Sequence, residues 1–401
     1  MHTSDVVVVD AGPTGLMLAN ELALAGAEVS VLERRPGEPK ITRVFAVHAR
    51  TLELFDARGL AEDVLRRGIP ELMVPQSGTE QVLQAHTEGL GVETQRGVVV
   101  VGVERDEDGV TIALADGQTL RAGYLVGCDG AHSAVRKSLG VDFVGEQYQN
   151  AYPVGRRAPL ASARPADLRP GQCAECGDRK PFGDNLFRAL TWDRSREQAP
   201  LDEPVTLDEM RNAFGRIAGE DLGMSDMRWS SRFLSERRRA GHYRVGRLFL
   251  ASDAAHVHSP LGGQGMNTGI GDAMNLGWKL GAAARGAAPP GLLDSYEQEC
   301  HPVGEQVLAF TDAFNRLVFD HNLARKALQQ LIVRAIKDFG VAGDCWPNES
   351  AGSASTTVGT PAMNIAWWVA ECRMWTAQAP GSTNCCAVRG LCLLQRLIWT
   401  A

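Results

Sequence analysis

From Leu248 to Leu280 the chain reads LFLASDAAHVHSPLGGQGMNTGIGDAMNLGWKL, and no other stretch restricts the fold as closely. Leu248-Phe249-Leu250 suits a short buried strand, and Ala251-Ser252-Asp253 leaves it at the carboxyl end, where open α/β sheets gather ligands. Pro260 and the small residues Gly262-Gly263-Gln264-Gly265 then feed an apolar-periodic segment, with Ile270, Ala273, Met274, Leu276, Gly277 and Leu280 on one side of a helix. The first amides of that helix, near Gly265, Met266 and Asn267, carry about half a positive charge and favour an anion, and the glycines let a flat ligand come close to the backbone. An ordinary strand-loop-helix has the same pattern. A second signal decides between the two.

The amino terminus supplies it. Asp5-Val6-Val7-Val8-Val9 is β-branched enough for a buried parallel strand, and Asp10-Ala11-Gly12-Pro13-Thr14-Gly15 turns it into an alanine- and leucine-rich helix that runs to about Ala25. After Gly26, the segment from Ala27 to Leu32 predicts a second strand ending at Glu33, an acid about 20 residues past the glycine turn, where a dinucleotide's ribose hydroxyls are held. Asp10 stands where the dinucleotide fingerprint has its first glycine. Its carboxylate would lie near a doubly negative diphosphate.

At 401 residues the chain exceeds one typical domain, and its 44% hydrophobic content allows a sizeable core. The net charge of −7, with arginines spread rather than clustered, argues against nucleic acid as a partner. No apolar run reaches the ~18 residues of a membrane span, and Met1-His2-Thr3-Ser4-Asp5 lacks the regions of a signal peptide, so a cytoplasmic protein is expected. Nine irregularly spaced cysteines do not read as a disulfide framework, and Cys173-Ala-Glu-Cys176 has no second pair at zinc spacing. His256 and His258 form a His-x-His without a third ligand in view, which favours structural hydrogen bonding, so no metal is expected.

Between these ends, Arg34 and Arg35 follow Glu33, and 43–60 reads as a loop entering a helix, with Arg43 the better candidate of Arg43 and Arg50 to face a phosphate. Val74-Pro75-Gln76 precedes another helix, and 98–103 with 109–114 reads as a hairpin around Asp106-Glu107-Asp108-Gly109. The strand Tyr124-Leu125-Val126 then delivers Gly127-Cys128-Asp129-Gly130-Ala131-His132-Ser133 and a helix carrying Val135 and Arg136. That is a third turn at a strand end bearing an acid and glycine.

Taken together, DAGPTG with Glu33-Arg34, YLVGCDGAHSAVR, and RLFLASDAAHVHSPLGGQGMNTGIGDAMNLGWKL resemble the FAD-dependent single-component aromatic hydroxylases, the para-hydroxybenzoate hydroxylase-like flavoproteins. Within them the chain looks most like polyketide hydroxylases and rifampicin-type monooxygenases of antibiotic biosynthesis. The resemblance covers about 5–303. It implies an α/β fold with a Rossmann-like FAD-binding domain, a mixed-sheet substrate domain and a helical C-terminal part.

The resemblance also implies roles. FAD's diphosphate would lie at Gly12, Pro13, Thr14 and Gly15, and its adenosine ribose at Glu33 with Arg34 beside it. Gln76 looks like the flavin-contacting glutamine, Asp129 and Gly130 match a motif serving both FAD and NAD(P)H, and Asp253 matches the acid near the ribityl chain. Pro260 and the backbone of Gly265, Met266 and Asn267 match the loop beside the isoalloxazine ring, and Pro260 and Arg43 are the residues assigned to the catalytic centre. In such enzymes NAD(P)H reduces the flavin, O₂ forms a C4a-hydroperoxide, and its distal oxygen passes to an electron-rich ring. The expected partners are a small aromatic substrate and O₂, with a homodimer compatible and nucleic acid and membrane not.

The implied organisation is an FAD-binding domain in two parts, 1–147 and 244–285, around a substrate-binding sheet domain at 148–243, where 185–192 and 228–233 suit strands and 206–217 a helix. C-terminal helices follow at 286–343. The tail at 344–401 holds five of the eight tryptophans and five of the nine cysteines and is atypical. Ser252 stands where the family has glycine before its acid, Gly78 stands where an arginine often follows the Val-Pro-Gln turn, and 69–74 is short for the strands relatives place there. The same fold admits a flavin-poor or inactive homologue acting as a binding or assembly protein, and a flavin dehydrogenase or oxidase.

Overall fold

The computed structural model describes residues 3–37, 47–68, 74–157, 175–183, 186–196, 199–218, 224–225, 227–260 and 263–319. Arg43, the 69–73 segment, Cys173 and the 344–401 tail lie outside them. The chain divides into two units, one formed by Met1–Gln147 with Glu236–Asp312 and the other by Tyr148–Ser235 with Ala313–Ala401.

The first unit begins with β1 (Thr3–Val9), α1 (Pro13–Leu24) and β2 (Val29–Glu33), the βαβ unit expected from the sequence. Four successive valines, Val6 to Val9, are buried, as befits a parallel strand covered on both faces. Pro13 sits in the first turn of α1, where its missing N–H leaves no helical bond unmade. Three helices follow, α2 (Ala49–Asp56), α3 (Ala61–Arg66) and α4 (Gln76–Gly89), then β3 (Glu93–Arg96). The hairpin of β4 (Val100–Arg105) and β5 (Val110–Leu114) pairs antiparallel, and β6 (Thr119–Gly127) leads to the short α5 (Ala134–Ser138).

The second unit carries the greater part of β7 (Phe143–Arg157), β8 (Glu175–Gly183), β9 (Leu186–Asp193), α6 (Leu207–Ala218) and the start of β10 (Met227–Ala240). Its strands run in the order β10-β7-β9-β8, and β9 pairs antiparallel with both neighbours. Met210, Ala213 and Phe214, spaced three and four apart on α6, turn inward, and Met210 and Phe214 join Ala189, Val205 and Met224 in a small core. Arg232 is buried there and survives burial because both Glu209 oxygens accept from its Nη2 at 2.9 Å.

The chain then returns to the first unit through β11 (Arg244–Val245), β12 (Leu248–Leu250), β13 (His256–Val257), α7 (Gln264–Ala284) and the greater part of α8 (Asp294–Phe319). The main sheet runs β11-β12-β6-β1-β2-β3, with β12, β6, β1, β2 and β3 parallel, and β5 also pairs with β6. Strand β3 was not legible as a strand. Its Glu93-Thr94-Gln95-Arg96 has no apolar alternation because an edge strand pairs through its backbone alone.

Helix α7 lies against α1 with no room for side chains. A Cβ on Gly277 would come within 2.3 Å of Glu21 Cβ, and one on Gly281 within 2.3 Å of Ala25 Cβ. These glycines lower helix propensity but let two backbones meet, and the rest of α7 contributes Ile270, Ala273, Leu276 and Leu280 to the core. Gly277→Leu is expected to destabilise the protein by about 2–3 kcal/mol in urea unfolding, since neither helix can retreat without opening the core; an unchanged midpoint would show that the helices separate freely.

Candidate active site

Four strand ends stand in one row. Register pairs Val9 with Leu32 on one side and with Gly127 on the other, and Gly127 with Leu250. The ladder continues one step beyond the strands, since Asp10 N donates to Leu32 O at 2.8 Å, Cys128 N to Val9 O at 2.9 Å and Ala251 N to Gly127 O at 3.0 Å. Glu33, Asp10, Asp129 and Asp253 therefore leave the sheet along the same carboxyl-terminal edge, the edge at which parallel sheets bind ligands.

At the β1–α1 turn, Gly15 lies so close that a Cβ there would be 2.0 Å from Asp10 O. The Asp10 carboxylate folds over the turn, with Oδ2 accepting from Gly12 N at 2.8 Å and lying 2.6 Å from where a Gly12 Cβ would be. Beside it Glu33 is fully buried. Its Oε2 accepts from Ala11 N at 2.9 Å and Oε1 from Arg35 N at 2.7 Å, while the Arg35 guanidinium closes on both oxygens at 2.9 and 3.1 Å. Burial works against the charge on Glu33, but the Arg35 bonds outweigh it and hold the carboxyl below its ordinary value.

Asp129 caps α5. Its Oδ1 accepts from Ser133 Oγ at 2.5 Å and its Oδ2 from Ala134 N at 2.7 Å, with Gly130 at positive φ between them. Asp253 is exposed, and its Oδ1 lies 3.8 Å from where a Gly265 Cβ would be, at the start of α7, with His258 equally close. Asn267 ties that helix start down, accepting from His48 N at 2.9 Å and donating to Gly263 O at 2.8 Å. Met266 is buried, Gly265 half-buried, and Pro260 exposed, its carbonyl accepting from Gly263 N at 3.1 Å. Thr14 is packed under α7, so that a Cβ on Gly269 would come within 2.2 Å of Thr14 Oγ1 and 2.6 Å of Ser252 Oγ. Gln76 opens α4 half-buried and donates to Glu80 Oε1 at 2.7 Å.

The two positions where the sequence carries a side chain in place of an expected glycine share one property. Asp10, at φ 93°, and Ser252, at φ 56°, are the only non-glycine residues of positive φ among the described residues. Both turns need the left-handed backbone, at a cost of about 1–2 kcal/mol to a side chain. Gly78, the third departure, is buried, and a Cβ there would lie 3.2 Å from Arg67 Cβ.

Sequence reasoning missed Arg35. Arg34 is exposed, and it is Arg35 that returns to Glu33; the alternation of an extended chain, Glu33 in, Arg34 out, Arg35 in, was the available signal. It also missed Asp272 on α7, a buried carboxylate whose Oδ2 accepts from Ser252 N at 2.9 Å and lies 2.7 Å from His256 Nε2. Burial opposes charge on His256, yet Asp272 keeps the imidazole above its ordinary value. His258 instead uses Nδ1 toward Ser259 O at 2.9 Å. Among the described residues, no group of three or more His, Cys, Asp or Glu is placed to hold a metal ion.

Comparison with known proteins agrees with this geometry. The profile of a family described as "FAD binding domain" matches residues 3–74 and 70–311. Rifampicin monooxygenase of Streptomyces venezuelae is 44% identical over 336 residues, 77% of this chain and 70% of that protein. The solved anhydrotetracycline hydroxylase of Streptomyces rimosus superposes with a TM-score of 0.72 at 37% identity, covering 88% of this chain and 78% of the other. A Diels-Alderase of the pyrroindomycin pathway superposes with a TM-score of 0.76 at 35% identity, covering 84% and 77%.

Two substitutions test the geometry of the turns. Ser252→Gly should stabilise the protein by about 1 kcal/mol in urea unfolding, because it relieves the left-handed backbone. Asp272→Ala should destabilise it by about 3 kcal/mol, since it strands a buried imidazole and the Ser252 amide together; a loss below 1 kcal/mol would mean that water replaces the carboxylate.

Proposed function

Because the chain belongs to the FAD binding domain family, we propose that it is an FAD- and NAD(P)H-dependent monooxygenase that hydroxylates an aromatic substrate of the phenolic or polyketide type. The observation that carries the reading is the single row of strand ends from which Glu33, Asp10, Asp129 and Asp253 emerge beside the start of α7.

The residues at this edge fit FAD. Helix α1 has 12 residues and no acid in its first turn, its leading amides have no intrahelical acceptor, and glycine at positions 12 and 15 adds no side chain to a turn that the Asp10 carboxylate overlies. Gly12, Pro13, Thr14 and Gly15 would hold the diphosphate. Glu33, held by Arg35 and flanked by Arg34, would hold the adenosine ribose, with Asp129, Gly130 and Asp253 along the middle of the dinucleotide. Gln76, Pro260, Gly265, Met266 and Asn267 would border the ring.

Bound FAD supplies the redox chemistry, carrying electrons from NAD(P)H to O₂ and delivering one oxygen atom to the aromatic ring. This chain's own contribution is placement. The amides at the start of α7, fixed by Asn267, present a positive helix end to whatever negative charge develops on the ring. Asp272 and His256 hold the Ser252–Asp253 turn in its left-handed shape from beneath. No helix among the described residues is long and apolar enough to cross a membrane, and a cytoplasmic setting, where NAD(P)H is regenerated, belongs to the same reading.

A second reading has one observation in its favour, the likeness to a Diels-Alderase, a relative whose name is not that of a hydroxylase. The two separate on the bench. The purified protein should be yellow or take up added FAD, and a panel of polycyclic phenols under ¹⁸O₂ should give NAD(P)H oxidation with one labelled oxygen in the product. Flavin reduction without label would indicate a dehydrogenase or oxidase, and a protein that takes up no FAD would indicate a binding or assembly role.

A further inference from the structure

The turn that receives the diphosphate in the reading above already contains an acid. Asp10 folds back so that its own Oδ2 accepts the Gly12 N–H at 2.8 Å, and it lies over the glycine whose missing side chain keeps the turn open. An ionised carboxylate there would meet a doubly negative diphosphate at contact range, whereas a carboxylic acid could accept from Gly12 with one oxygen and donate its proton with the other. We propose that Asp10 is a cofactor-binding residue that holds the diphosphate of FAD as a neutral acid, so that the affinity of this protein for FAD is linked to one proton. The inference rests on the assignment of FAD to this edge.

The surroundings favour the neutral form. Among the described residues, the ionisable groups that face Asp10 are Glu33 and Arg35 beyond β2, and Asp129 with the buried thiol of Cys128 beyond β6. Arg35 is the one cation in this set, and it is already engaged by both Glu33 oxygens. The first turn of α1 brings no further acid or base. Burial, reinforced by Glu33, pushes the Asp10 carboxyl up to about 7, against an ordinary value of 3.8.

The sign follows from linkage. A group that holds its proton more tightly when folded adds stability that is complete below its unfolded value and is lost as pH rises through the folded one, here between about 4 and 7. A diphosphate on the same carboxyl raises its proton affinity again, so cofactor binding takes up a proton above pH 7 and weakens by up to about tenfold per pH unit.

Fluorescence quenching of FAD by the apoprotein, measured from pH 5.5 to 8.5, tests this directly. The wild type should bind equally well at pH 5.5 and 6.5 and at least tenfold more weakly at pH 8.5. Asp10→Asn, which keeps a donor but cannot ionise, and Asp10→Gly, which removes the group, should both bind with no such decline. A wild-type affinity that is flat across the range, or a decline that persists in Asp10→Asn, overturns the proposal while leaving the FAD assignment standing. Failure of all three proteins to bind FAD at pH 6 overturns both. A readout without cofactor accompanies it: the melting temperature of Asp10→Asn should exceed that of the wild type by more at pH 8 than at pH 5. An equal difference at the two pH values also overturns the proposal.

Discussion

Parallel pairing in register is the constraint on which this structure depends. Leu32, Val9, Gly127 and Leu250 occupy one row across four neighbouring strands, and the backbone ladder carries each chain one residue further before it turns. A slip of one residue in any strand would face its valines and leucines the other way. With Val6, Val7, Val8 and Val9 all buried, both faces are packed, and a slip would mismatch the side-chain volumes on each. The same packing that stabilises the sheet therefore lines up its acids at one edge.

Gathering carboxylates at one low-dielectric edge carries a penalty, and each acid meets it differently. Glu33 is fully buried but surrounded by two amides and a bidentate guanidinium. Asp129 spends its charge on the start of α5 and on Ser133. Asp272 shares a proton-rich contact with His256 and the Ser252 amide. Asp10 has a single amide, from Gly12, and two neighbouring acids, and its carboxyl is pushed up to about 7, by burial first and then by Glu33.

Close helix packing completes the edge. Gly269 admits Thr14 and Ser252, and Gly277 and Gly281 admit Glu21 and Ala25, so α7 joins the β1–α1 turn to the Ser252–Asp253 turn without an intervening side chain. The positive end of α7 is thereby set beside Asp253 and His258. The family supplies the kind of chemistry, and this edge supplies the groups that would orient it.

Much of this was legible in the amino-acid order, because strands with β-branched runs, helices with small and apolar periodicity and glycine-bearing turns are decided by near neighbours. The βαβ unit, the hairpin at β4 and β5, the strand before Asp129 and the strand-loop-helix from Leu248 to Leu280 are of this kind. Polar edge strand β3 was not, since it holds its place by backbone bonds that leave no trace in side-chain pattern. The tertiary structure alone decided that Arg35 rather than Arg34 meets Glu33, that Asp272 supports Ser252 from twenty residues away, and that Asp10 and Ser252 sit in the left-handed region. Ionisation, burial and pairing depend on groups brought together from distant parts of the chain. Local sequence can nominate an acid for a site, but only its assembled surroundings determine the charge it carries there.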